Sequence, residues 1–182
     1  MLSKIKIFLD FDGTAVDSVR AYCDVYNKLF NGKANHTKVN RWDLADECPK
    51  AVKYVEDIFA SKDFFDYLEL IDQDTKDVLD QIKQNYEVII CSIGTPENIS
   101  RKAEWVNRNL DIQDMILISK HNATMDKSLV NMSNSIIIDD NENNLFSSDA
   151  DIKICFGEVK SWNENWDGLR AKNWKELGEL LL

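Results

Sequence analysis

Residues 5–14 read Ile5-Lys6-Ile7-Phe8-Leu9-Asp10-Phe11-Asp12-Gly13-Thr14, and this stretch is the most informative in the chain. Its apolar, β-branched beginning predicts a buried strand, which ends at two carboxylates and a glycine. In an open α/β sheet, chemistry takes place just beyond the carboxyl ends of the strands. Two acids one residue apart at such an edge repel each other unless a cation or a shared proton compensates. The stretch therefore predicts a divalent metal ion beside a nucleophile–acid pair, although Asp-Gly also occurs in ordinary turns.

The length of the chain suits one domain with a small inserted subdomain, and its composition is typical of a globular protein. The chain has 182 residues, of which 44% are hydrophobic and 30% charged. The formal net charge of −10 argues against a nucleic acid duplex as a partner. A metal ion and one lysine can nevertheless attract a small phosphorylated substrate to an acidic protein. We find no charged-then-apolar signal segment and no apolar run of the roughly 20 residues that a bilayer span needs. We therefore expect no membrane partner and a cytoplasmic location, with a monomer and a homodimer both open.

The hydrophobic periodicity predicts strands that alternate with helices. Four further apolar runs predict strands near residues 88–91, 115–118, 135–138 and 152–156, and helical spacing predicts helices over 17–30, 51–60, 75–84, 96–109 and 174–181. This order favours a doubly wound α/β fold with a parallel sheet of five strands, because right-handed crossovers pack in that way. We predict a catalytic core from residues 1–17 and 73–182. Residues 18–72 would form a small helical cap inserted after the first strand.

Polar side chains follow three of the predicted strands, and a lysine lies in the loop before one of them. In chain order these residues are Asp10, Asp12, Ser92, Lys127, Asp139 and Asp140. Because the carboxyl ends of parallel strands meet at one edge of a sheet, we expect these side chains to converge on one site.

These elements, in this order, resemble the motifs of the haloacid dehalogenase (HAD) superfamily, whose phosphatases read Asp-x-Asp-Gly-Thr after a hydrophobic strand. The carboxy-terminal half is similar to the 5′(3′)-deoxyribonucleotidase family. The similar segments are Lys102-Ala103-Glu104-Trp105-Val106, Asp126-Lys127-Ser128-Leu129-Val130, Ile136-Ile137-Ile138-Asp139-Asp140-Asn141, and Ser161-Trp162 with Trp166. The resemblance implies a HAD-like Rossmannoid core, a small helical cap after the first motif, and Mg²⁺-dependent hydrolysis of nucleoside monophosphates.

The resemblance also implies a role for each motif residue. Asp10 would attack the phosphorus and form an aspartyl-phosphate, and Asp12 would protonate the leaving alkoxide and then deprotonate the hydrolytic water. Ser92 would donate a hydrogen bond to a phosphoryl oxygen. Lys127 would neutralise charge on the phosphoryl group and hold Asp10. Mg²⁺ would be bound by Asp10, by the backbone carbonyl of Asp12, and by Asp139 and Asp140, since it prefers a few carboxylates together with water and phosphate oxygens.

A nucleotide pocket further needs aromatic surface on which a base can stack. We place Trp42, Phe64 and Phe65 of the predicted cap in this role, although the same residues are equally consistent with the core of the cap. Gly13 would allow a close approach of the backbone to the substrate. Ile93, directly after Ser92, would contact the substrate as well.

Alternatives stay open for two residues and for the function. Lys120 is an alternative to Lys127, and Thr95 is an alternative to Ser92, which could instead cap a helix. The leading hypothesis is a Mg²⁺-dependent phosphomonoesterase that acts on (deoxy)nucleoside monophosphates. A phosphatase of another small phosphomonoester, such as a sugar phosphate, and a non-catalytic HAD-fold binding module are the alternatives. A haloacid dehalogenase is disfavoured, because the acidic residues suit metal-assisted phosphoryl transfer.

Overall fold

The computed structural model describes residues 4–120 and 126–182. In this part of the chain, a parallel sheet lies between helices. The strands are β1 (Lys6–Leu9), β2 (Glu87–Gly94), β3 (Met115–Ser119), β4 (Ser135–Asp139), β5 (Ile152–Phe156) and β6 (Leu169–Ala171). The α-helices are α1 (Ser18–Phe30), α2 (Val55–Phe59), α3 (Lys62–Tyr67), α4 (Thr75–Asn85), α5 (Pro96–Asn109), α6 (Glu142–Ser147) and α7 (Trp174–Leu181), and 3₁₀ helices span His36–Lys38 and Pro49–Tyr54. None of these helices is long and apolar enough to cross a membrane.

The sheet order is β3-β2-β1-β4-β5-β6, and every neighbouring pair is parallel. The α/β class and the parallel sheet are therefore confirmed, but the prediction of five strands is wrong. The sixth strand, β6, has only three residues, Leu169-Arg170-Ala171, and the first of them is 52% exposed. So short a strand at the edge of a sheet carries no apolar run, and the periodicity of the sequence therefore missed it.

The strand register brings the ends of the central strands level with one another. Leu9 of β1 is paired with Ile90 of β2 on one side and with Ile138 of β4 on the other. The backbone N–H of Asp10 donates to the carbonyl of Ile138 at 2.9 Å. From β1 the chain adds β2 and β3 on one side and then crosses to add β4, β5 and β6 on the other, so the strand order reverses at β1. Ligands bind to such sheets in the crevice at this reversal, which lies between β1 and β4.

A helical segment lies between β1 and α4, over the carboxyl ends of the strands. The chain enters and leaves it through two extended stretches that pair with each other, through Asp17 N–H to the Glu69 carbonyl at 3.0 Å and Ile71 N–H to the Ala15 carbonyl at 3.2 Å. The helix predicted over residues 51–60 begins instead as a 3₁₀ helix with Pro49 in its first turn, and only its second half is α-helical. The cap boundaries at residues 18 and 72 stay a prediction.

Apolar side chains fill both faces of the sheet and fix the loop after β1. Phe11 is fully buried, and its ring packs edge-on against Trp105 of α5 with the ring centres 5.5 Å apart. Trp174, the first residue of α7, is also fully buried, and its indole N–H donates to the carbonyl of Thr14 at 2.9 Å. The two contacts fix the position of this loop, and with it the position of its acidic residues at the edge of the sheet.

Candidate active site

Three carboxylates meet where β1 and β4 end. Asp10 follows β1 directly, Asp139 is the last residue of β4, and Asp140 is the next. One oxygen from each carboxylate lies within 4.8 Å of one from each of the other two. Asp139 is fully buried, and Asp10 is 6% exposed. Close, buried oxygen ligands of this kind are the donor set that Mg²⁺ takes from proteins.

Lys127 lies between two of these carboxylates. Its ammonium donates to Oδ1 of Asp10 at 2.7 Å and to Oδ2 of Asp139 at 2.5 Å, and the side chain is fully buried. Asn144 of α6 donates to both oxygens of Asp139, at 3.0 and 3.1 Å. Lys120, the alternative to Lys127, instead forms an ion pair with Glu56 of α2 at 2.6 Å. The geometry thus favours Lys127 as the lysine that holds Asp10.

The electrostatics of this cluster favour a further positive charge. Burial, followed by repulsion from Asp10 and Asp139, raises the pKa of Asp140 well above its ordinary value. Burial also raises the pKa of Asp139, against the opposing effect of Lys127. For Lys127, burial alone would lower the pKa, but attraction to Asp10 and Asp139 outweighs it and the pKa is raised. Buried like charges that repel one another in this way are stabilised by a bound cation.

The buried side chain of Lys102 contacts Asp12, whose side chain is 29% exposed. Its ammonium donates to Oδ2 of Asp12, to Oγ of Ser92 at 2.8 Å and to the carbonyl of Ile93 at 2.9 Å. Burial raises the pKa of Asp12, and Lys102 opposes that shift. Lys102 was not among the site residues predicted from the sequence. The available signal was its position in α5, four residues before Val106, on the helix face that the apolar spacing predicts to be buried.

A second observation indicates that the residues of this site fit a metal ion. Among the described residues, two buried side-chain oxygens have no hydrogen-bond partner, Oδ1 of Asp12 and Oγ1 of Thr14. Both belong to the loop that carries the first acidic pair. A buried polar atom without a partner is costly unless an ion, a water or a ligand satisfies it. The acidic cluster and these oxygens together suit Mg²⁺ and a phosphate group.

A cavity of about 440 Å³ opens over the acidic cluster. Asp10, Asp12, Ser92, Asp140 and Lys102 form its floor. Its walls combine apolar and polar side chains from the helical segment and from the core, among them Val19, Trp42, Asp43, Leu44, Val55, Glu56, Phe59, Ile93, Asn98, Lys120, Asn141, Asn143 and Trp162. A larger, more open groove of about 750 Å³, beside Arg20 and Trp105, contains none of the predicted catalytic residues.

The structure brings Trp42 and Ile93 to this cavity, but it does not bring Phe64 and Phe65 there. Phe64 is fully buried, and its ring packs against Phe59 at 5.0 Å and against Phe65 at 5.1 Å between ring centres. Phe64 therefore belongs to the core of the helical segment, since α3 turns this ring inward. Phe59, which the sequence analysis did not select, is the phenylalanine that lines the cavity.

Gly13 and Thr95 have structural positions beside the site. Gly13 has φ +71°, and a Cβ there would lie 2.4 Å from Oδ2 of Asp140. Glycine is required because it leaves room for that carboxylate; it does not line the cavity. Thr95 is the N-cap of α5, where its hydroxyl accepts from the backbone N–H of Asn98 at 3.3 Å. Ser92, by contrast, lies on the cavity floor.

One comparison with known proteins identifies a family. A family model described as 5′ nucleotidase, deoxy (Pyrimidine), cytosolic type C protein matches residues 3–182. No curated protein matches the chain.

Solved structures share the fold at low sequence identity. A predicted phosphatase from Clostridium acetobutylicum has a TM-score of 0.68 at 12% identity, over 98% of each chain. A haloacid dehalogenase-like hydrolase from Streptococcus pneumoniae has a TM-score of 0.62 at 18% identity, over 99% of this chain and 100% of that chain. The HAD-hydrolase YfnB from Bacillus subtilis, described as bound to magnesium, has a TM-score of 0.59 at 11% identity, over 98% and 99% of the two chains.

Proposed function

Since this chain belongs to the 5′ nucleotidase, deoxy (Pyrimidine), cytosolic type C family, we propose that it hydrolyses (deoxy)nucleoside monophosphates to nucleoside and phosphate with Mg²⁺. The observation that carries the proposal is that two kinds of surface share one cavity. Its floor holds Lys102 with Asp10 and Asp140 of the acidic cluster, and its walls hold Trp42, Phe59 and Trp162. Carboxylates that would hold a divalent cation, together with a lysine, suit a phosphate, and aromatic walls suit a planar base. The cytoplasmic location stays part of the proposal, in line with the words "cytosolic type" in the family description.

Asp10 is the proposed nucleophile. Its Oδ1 accepts a hydrogen bond from Lys127 at 2.7 Å, which holds the carboxylate at the cavity floor. The carboxylate attacks the phosphorus, and the bond from phosphorus to the nucleoside oxygen breaks as an aspartyl-phosphate forms. Lys127 also offsets the negative charge that builds up on the phosphoryl group, in a buried position where such an interaction is strong.

Asp12 is the proposed acid and base. Burial raises its pKa, which favours the protonated form that can donate to the leaving nucleoside oxygen. After the nucleoside leaves, the Asp12 carboxylate accepts a proton from water, and this water attacks the phosphorus and releases Asp10. Lys102 contacts both Asp12 and Ser92. It is therefore placed to stabilise the carboxylate form of Asp12 and to bind a phosphoryl oxygen together with Ser92.

Mg²⁺ would be held by Asp10, Asp139 and Asp140, together with the backbone carbonyl of Asp12. When bound, it supplies positive charge that offsets the repulsion between these carboxylates and the phosphate. Asn144 donates to both oxygens of Asp139 and so fixes that side chain. Such partners of a metal ligand orient it and tune its affinity.

The test is phosphate release from a panel of monophosphates, with Mg²⁺ and with EDTA. The panel contains 5′ and 3′ deoxynucleotides and ribonucleotides, sugar phosphates and a small aryl phosphate. We expect Mg²⁺-dependent release that is fastest for nucleotides. Release only from sugar or aryl phosphates would keep the chemistry and refute the nucleotide substrate. No release from any compound would favour a binding module.

The nucleophile is tested in the same assay with Asp10→Asn. We expect turnover to fall by more than about 1000-fold, since removing a catalytic nucleophile can cost about 10⁶-fold, with a circular dichroism spectrum like that of the parent. The matched control is Asp57→Asn, which makes the same change at an exposed position on α2 and should leave turnover unchanged. Near-normal turnover of Asp10→Asn would show that another group attacks the phosphorus.

A further inference from the structure

The loop between β5 and β6 holds one carboxylate of the acidic cluster by both its side chain and its backbone. Trp162 donates its indole N–H to Oδ2 of Asp140 at 3.0 Å. The next residue, Asn163, is buried and donates its side-chain amide to the backbone carbonyl of Asp140, also at 3.0 Å. Two adjacent residues thus determine where Asp140 lies and how its carboxylate is turned. We name residues 160–163 the clasp.

The clasp also contacts the helical segment above the cavity. The ammonium of Lys160 donates to the carbonyl of Val39 at 2.6 Å, and the backbone N–H of Ser161 donates to Oδ1 of Asn40 at 3.3 Å. The Trp162 ring packs against Trp42, with ring centres 5.9 Å apart and an interplanar angle of 64°. A single indole therefore contacts the acidic cluster through its N–H and the cavity wall through its ring.

The carboxylate of Asp140 is confined on its other side as well. Its Oδ2 lies so close to Gly13 that a Cβ at that glycine would be 2.4 Å away. Oδ2 of Asp140 thus occupies the space that a side chain at position 13 would need, and the same oxygen accepts the hydrogen bond from Trp162. A hydrogen bond to a metal-binding carboxylate fixes its orientation, and removing such a partner typically lowers metal affinity by about 10- to 100-fold.

A purely structural role in the loop is the other explanation for a tryptophan here, and the chain provides a comparison. Trp166 lies in the same loop, and its indole N–H donates to the backbone carbonyl of Leu169 at 2.9 Å. That hydrogen bond joins the loop to Leu169, the first residue of the adjoining strand β6. The N–H of Trp162 instead leaves the loop and reaches a carboxylate that belongs to the acidic cluster.

We propose that Trp162 is a positioning residue, which orients Asp140 for the divalent cation and links that orientation to Trp42 in the cavity wall. The inference rests on the proposed function, because it requires a cation at the acidic cluster. It assigns Trp162 a role in metal affinity that acts through Asp140 and involves no direct contact with the cation. Contact with Trp42 makes the metal site sensitive to how the helical segment sits over the cavity.

The experiment measures binding of Mg²⁺ alone, with no nucleotide present. The unfolding temperature is recorded against Mg²⁺ concentration at constant ionic strength, because a ligand of the folded state raises it by an amount that depends on the ratio of the ligand concentration to its dissociation constant. The variants are Trp162→Phe, which keeps a ring against Trp42 but lacks the N–H, and the matched control Trp166→Phe. For the same rise in unfolding temperature, we expect Trp162→Phe to need about tenfold more Mg²⁺ than the parent. Trp166→Phe should need the same concentration as the parent.

The link to the cavity wall is tested with Trp42→Ala, alone and combined with Trp162→Phe. Trp42 is 62% exposed, so its removal leaves the fold intact. We expect Trp42→Ala to weaken Mg²⁺ binding in the parent and to have no effect in the Trp162→Phe background. Equal effects in both backgrounds would refute the link, because independent sites have additive effects.

Two failures are distinguishable. If the parent protein binds Mg²⁺ and Trp162→Phe binds it equally well, Trp162 does not position Asp140 and this inference is wrong, while the proposed function stands. If the parent shows no response to Mg²⁺, the metal site itself is refuted, and the inference is refuted with it.

Discussion

Replacing Lys127 by methionine tests the central electrostatic argument. Methionine keeps much of the length of the side chain and removes its charge. In the parent, the ammonium lies 2.7 Å from Asp10 and 2.5 Å from Asp139, and all three side chains are buried. Without the lysine, two carboxylates stay in the protein interior with no cation between them. Removing one partner of a buried ion pair lowers the free energy of unfolding by about 3–5 kcal/mol, since the remaining charge is left uncompensated.

The expected loss for Lys127→Met lies near the lower end, at about 3 kcal/mol. Asn144 continues to donate to both oxygens of Asp139, so one of the two carboxylates keeps a partner and Asp10 bears most of the effect. This is a large fraction of the roughly 5–15 kcal/mol by which domains are stable. Mg²⁺ supplies positive charge to the same carboxylates, so the loss should be smaller with Mg²⁺ than with EDTA.

The measurement is urea unfolding, with EDTA and with saturating Mg²⁺, compared through the extrapolated free energies of unfolding. Lys153→Met is the matched control, because Lys153 donates to the backbone carbonyls of Leu145 and Ser148. Its effect on stability should be the same with and without Mg²⁺. A loss below about 1 kcal/mol for Lys127→Met, within the range of an exposed ion pair, or a loss that Mg²⁺ does not reduce, would refute the reasoning.

Two further predictions concern the cavity wall and the acidic cluster. Trp42→Ala should raise KM for nucleotides more than KM for a small aryl phosphate, whereas Phe65→Ala should change the two KM values alike. Steady-state kinetics on the two substrates measures this difference. Equal effects of Trp42→Ala on both substrates would show that its ring does not contact a base. Burial raises the pKa of Asp139 from 3.8 to about 6, and burial with carboxylate repulsion raises that of Asp140. The folded protein then binds more protons than the unfolded chain, so its stability in EDTA should fall as pH rises from about 4 to 6; urea unfolding measures this slope, which Asp140→Asn should flatten, and a rise would contradict it.

The local pattern of the sequence was sufficient to predict most of the sheet and the edge of the sheet at which the acidic residues lie. Alternating apolar runs and helical spacing predict five of the six strands, because buried strands must be apolar on both faces. Residues that follow parallel strands share one edge of a sheet by topology alone. The sequence therefore predicts that Asp10, Ser92 and Asp139 lie near one another without any knowledge of packing.

Which other side chains reach the cavity depends on tertiary packing. Phe59, Phe64 and Phe65 are alike in the sequence, and only the packing of α2 against α3 turns the first toward the cavity and buries the second. Lys102 and Trp162 are distant along the chain from the carboxylates that they contact. Such contacts depend on how whole helices and loops pack around the sheet, and a local periodicity carries no information about that packing.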